Sequence, residues 1–196
     1  TGTSGSVALH AGSLGIGLGG TAAHLAEALD GITNYTGALT VSGGVAPSIT
    51  ELVTMTSATS GAINLESYAA ALTGTAAQLK TVLEGPLAAQ YTGAVTLTDE
   101  PDLAQLIAIN THTDGAINLA ADAGLRDGAL SGTAAQLDTA LAGITNYKGT
   151  LEVTGGVAPS ITELVTMTSA TDAAITLESY AAALTGTAAQ LKTVLE

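Results

Sequence analysis

The twenty residues LESYAAALTGTAAQLKTVLE occupy positions 65–84, and the same twenty return unchanged at positions 177–196. The stretch VAPSITELVTMTSAT at 45–59 also returns, at 157–171, with the same shift of 112 residues. Within this period the tetrapeptide Gly-Thr-Ala-Ala begins at positions 20, 74, 132 and 186. Such repetition is typical of proteins in which each repeat packs on the next one. We therefore expect residues 1–196 to form a single repeat domain, a fragment of a longer array, with two-coil repeats that start near residues 20, 74, 132 and 186.

A finer repeat consists of short segments in which apolar and polar residues alternate. The segments begin at residues 5, 37, 61, 93, 115, 149 and 173, as in GALTV, GAINL and GTLEV. Their spacings alternate between 32–34 and 22–24 residues, which divides the chain into long units (5–36, 61–92 and 115–148) and short units (37–60, 93–114 and 149–172). The last 24 residues, 173–196, occupy the place of a further long unit. Alternation in a strand places the apolar side chains on one face and the polar side chains on the other. The sequence therefore predicts seven strands, each with one polar face.

Each strand-like segment is followed by a segment that carries the start signal of a helix. Ser48 precedes Glu51 by three residues, and Asp102 precedes Gln105 by the same distance. In such a capping box the first side chain accepts from the later backbone amide, and the later side chain reaches back to the first amide. The predicted helices have about 10–12 residues, a length that is marginal in isolation. They must therefore be stabilised by packing against other parts of the chain.

The polar strand faces decide between two α/β architectures. In a doubly wound sheet helices cover both faces, and the strands are continuous apolar runs. Here one face is left to water, so we expect an α/β solenoid of seven strand–helix units, with a parallel sheet on one wall and all helices on the other. Right-handed crossovers are expected. The additional residues of the long units are expected to bulge at the edges between sheet and helices without disturbing the stack.

The composition restricts both the core and the partners. The chain has no Trp, Phe or Cys, so its core must be aliphatic, and disulfides and thiolate metal sites are excluded. The net charge is -13, from 17 acidic and 4 basic residues. Because Lys and Arg are needed to neutralise phosphates, we expect no nucleic-acid partner, and no apolar run is long enough to predict membrane insertion. An acidic surface with few lysines favours an extracellular or cell-surface location, and an acidic cytosolic protein is the alternative.

The segment SLGIGLGG at residues 13–20 contains the Gly-x-Gly-x-x-Gly pattern of dinucleotide-binding loops. The repeat provides a control, because alanine or aspartate stands at the positions equivalent to Gly15 and Gly17, whereas Gly20 recurs each time. The next strand also lacks the acidic residue that would bind the ribose. The three histidines lie in different units, and no nucleophile stands with a histidine and an acid. We therefore expect a repeat loop rather than a nucleotide site, and no enzyme activity.

The polar face of the predicted strands is the candidate binding surface. Its outward-facing residues are Thr40, Asn64, Thr96, Asn118, Glu152 and Thr176. A flat face of hydroxyl, amide and carboxylate groups fits a glycan, calcium ions or ice. The competing interpretation is a solvated sheet face without a ligand, since no aromatic side chain accompanies these residues to anchor one.

A second candidate is the acidic segment that contains Asp99, Glu100 and Asp102. Three carboxylates are suitable ligands for calcium. The alternative is that these acids stabilise the N-terminus of the following helix, where the dipole and the free amides attract negative charge. Calcium is the one cofactor that the sequence suggests, and no other metal or cofactor site is predicted.

Residues 91–119, YTGAVTLTDEPDLAQLIAINTHTDGAINL, are followed at 132–147 by GTAAQLDTALAGITNY. This order of motifs resembles the repeat arrays of giant bacterial cell-surface proteins, notably those of marine cyanobacteria, and the resemblance covers nearly the whole chain. It implies an extended extracellular structural stretch, associated with adhesion or motility, and it brings no catalytic residues.

Two hypotheses for the function follow from these observations. The leading one is a structural repeat module that acts as a spacer or scaffold within an extended cell-surface protein. The alternative is a ligand-binding module that uses the polar sheet face. The expected partners are neighbouring repeats of a longer chain, and uncapped ends predict end-to-end self-association of copies.

Overall fold

The computed structural model of the protein describes residues 9–120, 127–178 and 183–195. Within these ranges a short 3-10 helix covers Ala11–Ser13 and is followed by strands and α-helices. The α-helices are α1 (Ala22–Leu29), α2 (Ile49–Ala58), α3 (Ala76–Leu83), α4 (Leu103–His112), α5 (Ala134–Leu141), α6 (Ile161–Ala170) and α7 (Ala188–Leu195). The strands are β1 (Leu18–Gly20), β2 (Leu39–Val41), β3 (Ile63–Asn64), β4 (Leu72–Gly74), β5 (Val95–Leu97), β6 (Ile117–Leu119), β7 (Leu130–Gly132), β8 (Leu151–Val153) and β9 (Ile175–Leu177).

The predicted mixed α/β class with parallel strands is confirmed, but the expectation of one continuous sheet is wrong. The described strands form three separate parallel sheets of three strands each, in the orders β1-β2-β3, β4-β5-β6 and β7-β8-β9. The middle strand of each sheet comes from a short unit. The long unit 61–92 supplies β3, which pairs with β2, and then β4, which pairs with β5. The additional residues of a long unit therefore carry a second strand and separate two sheets, instead of bulging beside an uninterrupted stack.

Six of the seven predicted strands are present, as β2, β3, β5, β6, β8 and β9. The predicted strand that begins at residue 5 lies almost entirely outside the described residues. Sequence analysis missed β1, β4 and β7, which have the sequences LGG, LTG and LSG and directly precede the helix caps. Segments of three residues are too short for alternation to be visible. The Gly20 end of the glycine pattern lies within β1, so this pattern is partly strand rather than a loop.

The helix starts are confirmed by their caps. Both hydrogen bonds of the capping box are present in α2 to α6, with Ser48, Thr75, Asp102, Thr133 and Ser160 at the N-cap. At α7 the Thr187 amide donates to the Gln190 side chain, and the Gln190 amide donates to the Thr187 hydroxyl. The first helix has the simple N-cap alone, since His24 stands where the others have Glu or Gln. Local sequence therefore determines where each helix begins.

The core lies between the helices and the inner faces of the sheets. Each helix packs against the next helix along the chain, from α1 to α7. A leucine in the middle of each helix from α2 to α6 is buried: Leu52, Leu79, Leu106, Leu137 and Leu164. The second residue of each strand is exposed or half-exposed, whereas its apolar neighbours in β2 to β8 are buried. The helices therefore cover one face of each sheet and leave the other to solvent.

The first testable prediction concerns Leu83 and Leu195, which occupy the same position in the two identical stretches. Leu83 is 4% exposed and Leu195 is 72% exposed. We expect Leu83→Ala to lower the free energy of unfolding by about 2–5 kcal/mol, because it truncates a buried side chain. Leu195→Ala is the matched control, and we expect it to cost under about 0.5 kcal/mol. Urea unfolding of the two variants measures both costs, and equal losses would contradict the packing described here.

Candidate functional site

The structure brings the six predicted polar residues together in pairs. Parallel register places Thr40 beside Asn64, Thr96 beside Asn118 and Glu152 beside Thr176. A third residue, which sequence analysis missed together with its strand, completes each row. The three rows are Gly19–Thr40–Asn64, Thr73–Thr96–Asn118 and Ser131–Glu152–Thr176. Neighbouring strands in a sheet lie about 4.8 Å apart, so each row spans roughly 10 Å.

The polar rows offer mixed chemistry rather than a regular array. Their side chains include hydroxyls, amides and one carboxylate, and the first row begins with a glycine. Asn64 is already occupied in part, because its Nδ2 donates to the Leu39 carbonyl at 3.2 Å. In the part of the chain that the structure describes, Tyr35, Tyr91 and Tyr147 are buried and Tyr68 is half-buried, so no exposed aromatic ring flanks the rows. The three rows are also separated from one another, because the sheets are separate.

The three acidic residues at 99–102 have different neighbours. The Asp99 carboxylate accepts from the Ala76 amide at 2.6 Å and so caps α3. The Asp102 carboxylate accepts from the Gln105 amide at 2.7 Å at the start of α4. The Glu100 side chain lies against the backbone of Gly128. Among the described residues no group of three His, Cys, Asp or Glu side chains is arranged to hold a metal ion.

A buried tyrosine stands near the end of each of the long units 5–36, 61–92 and 115–148, and sequence analysis did not find this series. Tyr35, Tyr91 and Tyr147 each lie two residues before a short unit and are at most 2% exposed. Their hydroxyls donate to backbone carbonyls of the preceding chain segment, those of Ile16, Ala70 and Gly128 respectively. The signal in the sequence is the tripeptide Tyr-x-Gly, whose glycine is the first residue of each short unit.

Burial makes ionisation of these tyrosines unfavourable. Desolvation raises the pKa of Tyr91 to about 12 and also raises the pKa of Tyr35. Desolvation likewise raises the pKa of Tyr147 to about 12, and the negative charges of Glu100 and Asp127 add to the shift. A neutral phenol that donates to a carbonyl loses its hydrogen bond on ionisation, so these groups serve structure in their protonated form.

A series of buried threonines connects each short unit to the following long unit. Thr59, Thr113 and Thr171 are each 5% exposed, and each follows the last residue of a helix. Their hydroxyls donate to the carbonyls of Gly37, Tyr91 and Gly149, at 2.9, 3.0 and 3.1 Å. The same hydroxyls accept from the amides of Gly61, Gly115 and Ala173, at 2.9, 3.0 and 3.0 Å. Each hydroxyl is thereby saturated by backbone groups, which stabilises the contact between units.

Glycine is required where the backbones of two units meet. A Cβ at Gly93 would overlap the Ala70 carbonyl, and a Cβ at Gly149 would overlap the Gly128 carbonyl. The equivalent Gly37 faces the Ile16 carbonyl in the same way. By contrast, a Cβ at Gly17 would lie 3.6 Å from the nearest atom, which is an ordinary contact. The Tyr-x-Gly glycines are therefore structural, whereas Gly17 of the dinucleotide-like pattern is not needed for packing.

The loop after each of β2 and β8 presents an exposed valine beside a cleft. Val45 is 80% exposed and Val157 is 77% exposed. The cleft beside Val45 is lined by Pro47 and Glu66 and encloses about 280 Å³. The equivalent cleft beside Val157 has no room for a water molecule. The two loops share the sequence GGVAP, but only the loop at Val45 has an open cleft beside it. We therefore assign no ligand to this cleft.

Comparison of the chain with protein-family models, with curated proteins and with solved structures found no match. No described helix is both long enough and apolar enough to cross a membrane.

The second prediction concerns alkaline pH. In the unfolded chain tyrosine loses its proton near pH 10, whereas Tyr91 and Tyr147 keep theirs to about pH 12 in the folded chain. Between these values the unfolded state binds fewer protons than the folded state, so stability falls as pH rises. The contribution of the two tyrosines to the free energy of unfolding is complete below pH 10 and is lost between about pH 10 and pH 12.

Thermal melting between pH 8 and pH 12 measures this dependence. The double variant Tyr91→Phe/Tyr147→Phe is the control, because it lacks both ionisable hydroxyls. We expect its melting temperature to fall less steeply between pH 10 and pH 12 than that of the unmodified chain. The same slope in both proteins would show that the two tyrosines do not titrate differently in the folded and unfolded states.

Proposed function

We propose that this chain is a structural repeat module that serves as a spacer or scaffold in an extended extracellular or cell-surface protein. The observation that carries the proposal is a buried threonine hydroxyl at each passage from a short unit to the next long unit. Thr59, Thr113 and Thr171 each accept from an amide of the following unit and donate to a carbonyl 22 residues earlier. Buried polar groups in an enzyme often face a cavity where chemistry occurs. Here they connect backbone to backbone along the chain, which favours a structural role without catalysis.

The proposal includes a more specific architecture, a right-handed α/β solenoid of seven strand–helix units. The consecutive packing of α1 to α7 supports it, as do strand pairings that always join successive units. In such a protein the stability is a sum of unit and neighbour terms, and length can increase by addition of units. A spacer needs this property, because its reach must be adjustable without a change of fold.

The charge and the resemblance support the proposed location and partners. A net charge of -13 keeps neighbouring molecules apart and disfavours nucleic acids and anionic lipids. The similarity of the motif order to repeats of giant bacterial cell-surface proteins agrees with an exterior location. The proposed partners are further repeats of the same kind, and end-to-end contact between copies is the competing arrangement.

The third prediction tests the spacer function by lengthening the chain. Residues 177–196 are identical to 65–84, so residues 85–196 can follow Glu196 and continue the pattern without a break. This addition contains two short and two long units. We expect the maximum dimension in X-ray scattering to grow by at least about 19 Å per addition, the width of four strands. The increment should stay constant from one addition to the next, and melting should remain cooperative.

A control chain of the same composition, with the order of the appended residues scrambled, shows how an unfolded extension behaves. If the native-order chain has the dimensions of this control, or if it becomes a compact globule whose longest axis barely grows, the spacer function is rejected.

The alternative function is ligand binding at the polar rows, and the observation that favours it is their exposure in register. Calcium is the simplest ligand to test, and Glu152 is the carboxylate within the rows. The fourth prediction is that 5 mM calcium leaves the melting temperature within about 1 °C of its value in EDTA, because the described acids do not converge. A rise of several degrees that Glu152→Gln abolishes would favour binding at the rows, and a rise abolished by Asp99→Asn would favour the acidic segment.

A further inference from the structure

The two identical stretches have different surroundings, and the difference identifies an incomplete surface. Leu72 is 2% exposed, whereas Leu184, at the same position of the second copy, is 36% exposed. Helix α3 buries Ala76, Leu79, Val82 and Leu83, but α7, with the same eight residues, buries none. Sequence cannot cause this difference, because it is the same in both copies. The cause is the part of the chain that covers the first copy.

The cover of the first copy consists of the end of the long unit and the short unit that follow it. Strand β5 pairs with β4, so that the Leu72 amide donates to the Ala94 carbonyl at 2.9 Å. The Asp99 carboxylate caps α3 from the same side, and α4 packs along it. The backbone of Gly93 lies against Ala70, where only a glycine fits. The cover therefore combines strand pairing, a helix cap, helix packing and one close backbone contact.

The edge at Leu184–Gly186 is the corresponding open position. Its counterparts are β1, β4 and β7, and each of them pairs with the strand of a short unit: β2, β5 and β8. Within the described ranges residues 184–186 form no strand and pair with none. The three occupied positions thus show which kind of segment would pair with residues 184–186.

The counterparts also argue against a second copy of the chain as the occupant. A second copy would offer the long unit that contains β1. Strands β1, β4 and β7 are all end strands of their sheets, and in the described chain none of them pairs with another strand of this class. Contact between the ends of two copies would place a long unit on a long unit, an arrangement for which the structure has no example.

We propose that the surface formed by Leu184–Gly186 and α7 is a docking site for a segment of the type of residues 85–114, which comprises the end of a long unit and the short unit 93–114. The recognition elements are a Tyr-x-Gly segment, a three-residue strand of the pattern apolar–polar–apolar, and a capped helix. This inference rests on the proposed spacer function and deepens it. It states in which direction the array continues and that a short unit follows each long unit. It also replaces end-to-end self-association as the expected partner of this surface.

The test extends the full chain by residues 85–120 after Glu196 and follows hydrogen exchange at the Leu184 amide. The counterpart amide of Leu72 is hydrogen-bonded to the occupant, so docking should protect Leu184. We expect exchange at Leu184 to slow by at least about 100-fold relative to the unextended chain. A matched control carries Gly93→Val in the appended copy, which prevents the close backbone contact. A second control appends the long unit 115–148 in place of the short one.

Protection by the short unit, with under about 10-fold protection in both controls, supports the inference. No protection by the short unit, or equal protection by the long unit, overturns it. The unextended chain provides a third arm: concentration-dependent protection of Leu184 together with dimer formation in sedimentation would show that a second copy is the occupant.

The scattering experiment distinguishes failure of the docking inference from failure of the spacer function. A lengthening array with an unprotected Leu184 rejects only the docking inference, whereas a protected Leu184 in an array that does not lengthen rejects only the spacer function.

Discussion

The contact between successive units is the interaction on which the rest of the structure depends. The helices have 8 or 10 residues, and helices of this length do not persist in water. The three-residue strands are weaker still when unpaired. Each element becomes stable because its neighbour buries an aliphatic face and accepts or donates a backbone hydrogen bond. The buried Thr113 hydroxyl, for example, donates to the Tyr91 carbonyl of the preceding unit and accepts from the Gly115 amide of the following unit.

The alternation of long and short units explains why there are three sheets rather than one. A short unit has one strand, which pairs with a strand of each neighbouring unit and therefore lies in the middle of a sheet. Each of the long units 61–92 and 115–148 has two strands, and each of these strands pairs with a different neighbouring unit. The two strands of such a unit do not pair with each other, so one sheet ends and another begins. The helices are not interrupted in this way, since α1 to α7 pack in unbroken succession, and they give the molecule its continuity.

Local signals allowed much of this fold to be predicted from sequence. Capping boxes fixed the helix starts, and alternation identified six strands together with the residues that face solvent. The missed features depend on partners that are distant in the chain. A segment such as LTG has no internal pattern, and it is a strand only because β5 pairs with it. The cap that Asp99 provides for α3 joins residues 23 positions apart, and the Tyr91 hydroxyl reaches a carbonyl 21 positions away. Two thirds of the candidate binding rows were predicted for the same reason: the outward residues of visible strands were found, and Gly19, Thr73 and Ser131 were not.

The exact repetition of residues 65–84 at 177–196 has a consequence at the level of the gene. Recombination between two such copies inserts or deletes 112 residues, which correspond to two long and two short units. An event of this size preserves the alternation, whereas loss of a single unit would bring two long or two short units together. Each change in length that unequal crossing-over produces is thus compatible with the fold. A gene of this kind can change the length of its product between generations while every junction in the protein remains one that already exists.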